Sequence, residues 1–175
     1  QATGKIARAL GMRVLAYDSH PNDAGRAIGE YVPLDDLLRA SDVISLHCPL
    51  TPETSRMLTA PQLAAMQKGV ILVNTCRGEI FNQADLIAAL EAGKIGGYAT
   101  DVVEGEPIGA GHVLLSTPNV IVTPHLGGYS VVSLRGMGQT MVDDMRHVFV
   151  ENGFPGVIAN AKIDLTTSRI ARFRA

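Results

Sequence analysis

Short runs of apolar residues that do not alternate with polar ones set what this chain can fold into. Val43-Ile44-Ser45-Leu46 and Val70-Ile71-Leu72-Val73 are the clearest, and Arg13-Val14-Leu15-Ala16-Tyr17-Asp18 is another that ends in an acid. Tyr98-Ala99-Thr100 and Val120-Ile121-Val122 are shorter candidates. A strand with one face in water alternates apolar and polar residues. A continuous apolar run suits a strand of a parallel sheet covered on both faces. Helical stretches separate these runs. Residues 2–10 place Ile6, Ala7 and Leu10 on one face, with Gly11 suited to close the helix. Leu34–Ala40 carries Asp35 and Asp36 in its first turn, where acids complement the helix dipole. Residues 60–67 and 83–92 form two more such stretches, the second closed by Gly93. Strands alternating with helices over short connections predict an α/β, doubly wound, Rossmann-like parallel sheet. A long helical pattern then spans 130–151 and stops at Asn152-Gly153, and the tail after Pro155 shows no strong period.

Composition narrows the partners. With 5% aromatic residues and no Trp, small aliphatic side chains must build the core. A net charge of -2 gives no electrostatic reason to expect nucleic acid or an anionic membrane surface. No apolar run reaches the roughly 18 residues of a membrane span. Cys48 and Cys76 lie far apart in sequence without a Cys-x-x-Cys, which argues against a structural disulfide and suits a reducing cytoplasm. His20, His47, His112 and His147 show no metal-ligand spacing with the cysteines, so no metal is expected. Met137, Met141 and Met145 share helical spacing and are expected to pack.

Several residues carry chemistry. Asp18 ends an apolar run, where an acid in a dinucleotide-binding unit accepts hydrogen bonds from ribose hydroxyls and repels a 2′-phosphate. The competing reading is an Asp that opens a turn before His20-Pro21. His125 directly follows a strand candidate, and a free imidazole titrates near neutral pH, as proton transfer requires. Arg77 follows another, where a guanidinium can grip a carboxylate with two parallel hydrogen bonds or pair with Glu79.

Four segments, Ser45–Thr54 (SLHCPLTPET), 73–78 (VNTCRG), 101–107 (DVVEGEP) and 123–128 (TPHLGG), stand in one order and spacing. Together they resemble the D-2-hydroxyacid dehydrogenases, the group of phosphoglycerate, glycerate and D-lactate dehydrogenases, from residue 1 to about residue 160. The resemblance implies an NAD-dependent oxidoreductase that moves a hydride between nicotinamide and a small D-2-hydroxy acid or 2-oxo acid. It assigns His125 as acid/base, Glu106 as its orienting partner in preference to Glu104, and Arg77 as substrate anchor. Cofactor contacts fall to Asp18, Cys48, Pro49, Thr54, Thr75, Arg77, Asp101, His125, Gly127 and Gly128. A homodimer is implied as well.

The chain departs from the family pattern in places. Phe81-Asn82 stands where Val-Asp is frequent, Val103 replaces a frequent aromatic, and Tyr129 is expected to narrow the substrate side. The Gly-rich turn that normally precedes the first helix would fall before Gln1. The expectation is therefore a truncated NAD-binding domain over 1–129, lacking its first strand and Gly-rich loop. Residues 130–175 would lead towards a substrate domain that is mostly absent, and the polypeptide alone would be poorly stable and inactive. Two other readings stand beside this one. A phosphite dehydrogenase-like enzyme shares the Arg-Glu-His set, whereas formate dehydrogenases usually carry Gln at the acid position. An NAD-sensing corepressor-like binding protein can retain the same residues.

Overall fold

The computed structural model describes residues 1–151 and 153. The chain divides into two compact units, Gln1–His125 and Leu126–Ala175. The first holds helices α1 (Ala2–Ala9), α2 (Asp23–Arg26), α3 (Leu34–Ala40), α4 (Ala60–Ala65) and α5 (Gln83–Glu91). Its strands are β1 (Leu15–Ala16), β2 (Glu30–Tyr31), β3 (Val43–Leu46), β4 (Val70–Asn74), β5 (Ile95–Thr100) and β6 (Val120–Val122). In the second unit the described structure is helix α6 (Val131–Phe149), capped by the Ser130 side chain. The tail after Pro155 lies outside the described residues.

All pairings are parallel. β3-β4-β5-β6 form one sheet in that order, and β1-β2 form a separate pair. Parallel strands end on the same edge of their sheet, so the residues following β3, β4, β5 and β6 gather there, where ligands settle in open α/β sheets. The expected strands over 43–46, 70–73, 98–100 and 120–122 are all present. The run at 13–18 narrows to Leu15–Ala16, and β2 pairs beside it with Leu15 opposite Glu30 and Ala16 opposite Tyr31.

The core lies on one side of the larger sheet. Ile44, Leu46, Val70 and Leu72 pack there with Leu38 of α3, Leu63 of α4, and Leu86 and Leu90 of α5. The expectation that both faces are covered holds for one face only. Val43, Ile71 and Ile121 point the other way and are 45%, 39% and 66% exposed. The run at 70–73 is apolar throughout and that at 43–46 is broken only by Ser45, but burial along both alternates.

Local chemistry explains the helix ends. Asn82 caps α5, its side chain accepting from the N–H groups of Ala84 and Asp85. The replacement of a frequent Asp there is therefore tolerated. Gly93 closes the same helix at φ +65°, a left-handed conformation that glycine adopts without a Cβ penalty.

Candidate active site

His125 stands three residues beyond β6 with φ +54°, a left-handed backbone that is uncommon for a residue with a side chain. Its N–H donates to the Thr123 carbonyl at 3.0 Å, which closes the chain tightly around Pro124. Such conformations persist where the surroundings over-determine them, and they concentrate at functional sites. The turn delivers the ring to the loop after β5, where Nδ1 of His125 lies 2.7 Å from Oε1 of Glu106. A carboxylate only accepts hydrogen bonds, so Nδ1 carries the proton and a neutral ring presents a basic Nε2. Glu104, the other acid of this loop, faces Arg56 at 3.3 Å instead.

Asp101 follows β5 directly and is 8% exposed. The Thr123 hydroxyl donates to its Oδ1 at 2.5 Å, tying the end of β6 to the end of β5. On the neighbouring strand the fully buried Asn74 shapes the turn that carries Arg77. Its Nδ2 donates to the Arg77 carbonyl at 2.8 Å, and its Oδ1 accepts from the Cys76 N–H at 3.0 Å. Arg77 itself is exposed, and its guanidinium donates to the Cys76 carbonyl at 2.6 Å. Thr75 is exposed beside it.

After β3 the chain folds on itself. The Thr54 hydroxyl donates to the Pro49 carbonyl at 2.6 Å and accepts from the Thr51 N–H at 2.8 Å. Pro49 and Thr54 are thus brought together as parts of one turn. Burial pushes the half-buried Cys48 thiol up. It lowers the His47 imidazole, which therefore prefers its neutral form. Asp18 is exposed just past β1, and its Oδ1 accepts from the His20 N–H at 2.8 Å. The turn-forming role of Asp18 is therefore realised, and the residue remains exposed. In the second unit, a side chain at Gly128 would meet empty space, and Tyr129 is exposed.

Sequence reasoning missed three positioning residues: Asn74, Thr123 and Arg56. Each acts through a partner made visible by folding, although Thr123 sits inside the Thr-Pro-His segment already singled out. Among the described residues, no group of three or more acidic, Cys or His side chains is placed to hold a metal. No helix among them is long and apolar enough to cross a membrane.

Parallel topology, an acid after the second-to-last strand of the sheet and a His–Glu pair at its edge define a dinucleotide-dependent dehydrogenase domain in form. Residues 1–127 match the family model described as D-isomer specific 2-hydroxyacid dehydrogenase, NAD binding domain, and the chain belongs to that family. It is 50% identical over 127 residues to a hydroxypyruvate reductase of Blautia hydrogenotrophica, covering 72% of this chain and 39% of the relative. It is 42% identical over 147 residues to a glycerate dehydrogenase of Methylorubrum extorquens, covering 83% and 45%. The NAD-complexed D-isomer specific 2-hydroxyacid dehydrogenase of Lactobacillus delbrueckii ssp. bulgaricus superposes with a TM-score of 0.82 at 34% identity, covering 91% of this chain and 52% of that one. The chain thus spans about half the length, or less, of these relatives.

Proposed function

We propose that this chain supplies the NAD-binding and proton-transferring part of an oxidoreductase acting on a small D-2-hydroxy acid or its 2-oxo acid. The observation that carries the reading is the 2.7 Å contact between His125 Nδ1 and Glu106 Oε1 at the sheet edge. NAD, when bound, supplies the hydride acceptor or donor. Every other task falls to side chains. The basic Nε2 of His125 takes the proton from the substrate hydroxyl, and the Glu106 carboxylate fixes the ring and stabilises the imidazolium that results. Arg77 holds the substrate carboxylate with a planar fork of donors. In the reverse direction His125 returns the proton.

The residues present fit the cofactor. The exposed Asp18 carboxylate suits a pair of ribose hydroxyls and disfavours a 2′-phosphate, hence NAD over NADP. Asp101, tied to Thr123 across the strand ends, stands where the family resemblance puts a contact to the nicotinamide carboxamide. Cys48, Pro49, Thr54 and Thr75 line the same edge, and Gly127 and Gly128 follow His125 with little side-chain bulk. In this reading residues 1–129 serve the cofactor and 130–175 lead towards the substrate-binding part. The working unit is a cytoplasmic homodimer.

The test is NADH oxidation by the intact gene product with hydroxypyruvate, glyoxylate and pyruvate. Turnover with at least one is expected, and His125→Asn should lower it by about 10²–10⁴-fold while NADH still quenches or shifts fluorescence on binding. NADH binding without turnover of any 2-oxo acid would overturn the enzymatic reading. Phosphite-dependent NAD reduction would redirect it to phosphite, and NAD-dependent capture of a peptide partner would redirect it to a corepressor-like role.

A further inference from the structure

The two cysteines are far apart in sequence, but the sheet brings them together. β3 and β4 run in parallel with Leu46 paired to Asn74. Cys48 and Cys76 each stand two residues beyond that pair, in the loops that leave the two strands. At the Leu46–Asn74 pair the strands lie roughly 4.8 Å apart, and a disulfide spans ~4.4–6.8 Å between Cα atoms. The Cys76 Sγ reaches across to the β3 side and donates to the Leu46 carbonyl at 2.9 Å. Both thiols are reduced and half-buried, and both pack against the same core cluster. They are close enough for the charge of Cys48 to act on Cys76. Among the described residues no third metal-ligating side chain joins them, so the pair lacks what a zinc site needs.

We propose that Cys48 and Cys76 form an oxidisable dithiol that peroxide closes into an intramolecular disulfide across the ends of β3 and β4. One thiolate attacks a peroxide oxygen and breaks the O–O bond. It becomes a sulfenic acid as hydroxide leaves and is protonated to water. The second thiol then attacks the sulfenic sulfur, forming the S–S bond as a second water leaves. Two thiols are oxidised and one hydrogen peroxide is reduced to two waters. Burial holds both thiols above the ordinary range, so the closure is slow and calls for excess peroxide. On the functional reading above, on which this part rests, the crosslink occupies the strand-end edge where the cofactor lies. Closure and NAD binding then exclude one another.

Peptide mapping of the intact gene product after hydrogen peroxide tests the chemistry without reference to activity. Trypsin releases residues 40–56 with Cys48 and residues 69–77 with Cys76. The expected product is one species joining these two peptides, lost on treatment with dithiothreitol. Cys76→Ser keeps a hydroxyl for the Leu46 carbonyl, and should instead leave Cys48 as a sulfenic acid that dimedone traps. Separate overoxidation of the two peptides with no joined species would overturn the proposal. A joined species that forms equally fast with and without saturating NAD would keep the dithiol and overturn its placement at the cofactor edge. Absence of NADH binding to the reduced protein would count against the functional reading and leave the crosslink result standing.

Discussion

His125 and Glu106 are 19 positions apart and meet at 2.7 Å, and the contact makes their roles unequal. His125→Asn removes the proposed proton acceptor and is expected to lower kcat by about 10²–10⁴-fold, the usual worth of a positioned acid/base. Glu106→Gln keeps a hydrogen-bond partner without its charge and should cost less. Steady-state kinetics on the intact gene product, with NADH affinity measured separately, distinguishes the two. Asn74 makes a prediction of another kind. Asn74→Ala strips partners from the Arg77 carbonyl and the Cys76 N–H in a buried turn, and should cost about 1–3 kcal/mol in urea unfolding. Tyr98 is held above the ordinary phenol range chiefly by burial, opposed by hydrogen bonds from Thr100 and Asn74. A raised folded-state value means that its stabilising contribution is complete below the free-phenol range and is lost as pH climbs through the folded value. Of the four tyrosines, one should therefore ionise late, together with alkaline unfolding, in a spectroscopic titration. The proposed catalytic set was read as motifs through family resemblance. Asn74 and Thr123 were not, because their partners lie at the ends of other loops or strands and no periodicity marks a side chain that supports a turn.

Elements with a strong apolar signal were readable, and those without one were not. α3 begins and ends where its pattern does, and β3 coincides with its apolar run. β2 is two residues, Glu30 and Tyr31, and α2 is four, with Gly25 inside; neither is long enough to show a period. The face each strand buries was also hidden, because a run such as Val70-Ile71-Leu72-Val73 looks alike on both sides. Its alternation appears only once α3, α4 and α5 have chosen one face. Gly78 shows how tightly these elements meet. A Cβ built there falls 2.1 Å from the Glu104 nitrogen and 2.3 Å from the Val103 carbonyl carbon, both backbone atoms that cannot step aside alone. Gly78→Ala must therefore push the loop after β5 away from β4, and that loop carries Glu106. Overpacking of this kind costs about 1–3 kcal/mol. The expected outcome is a lower urea midpoint together with a fall in kcat. A variant that lost stability but kept its kcat would show that the loop moves without disturbing the His125–Glu106 pair.

Among the described residues the larger sheet starts at β3, which has β4 as its one hydrogen-bonded neighbour, while β1 and β2 pair only with each other. An isolated two-stranded pair is marginal in water, and a strand edge with unpaired N–H and C=O groups invites association with another chain. Helix α1 adds to the exposed apolar surface, with Ile6 and Leu10 at 63% and 75%. Val43 and Ile71 do the same on the open face of the sheet. All of these features belong to the unit Gln1–His125, which also bears Asp18 and Cys48. The 175-residue polypeptide produced alone is accordingly expected to self-associate at micromolar concentration and to bind NADH weakly. Light scattering during gel filtration over a concentration series, with NADH fluorescence on the same fractions, reads both properties. The hydroxypyruvate reductase of Blautia hydrogenotrophica, of which this chain matches 39%, is the natural reference. A monodisperse monomer with NADH affinity equal to that reference would show that β1 and β3 tolerate their open edges. Aggregation that Val43→Lys or Ile71→Lys suppresses without restoring NADH binding would place the self-association on the open sheet face and the binding defect elsewhere.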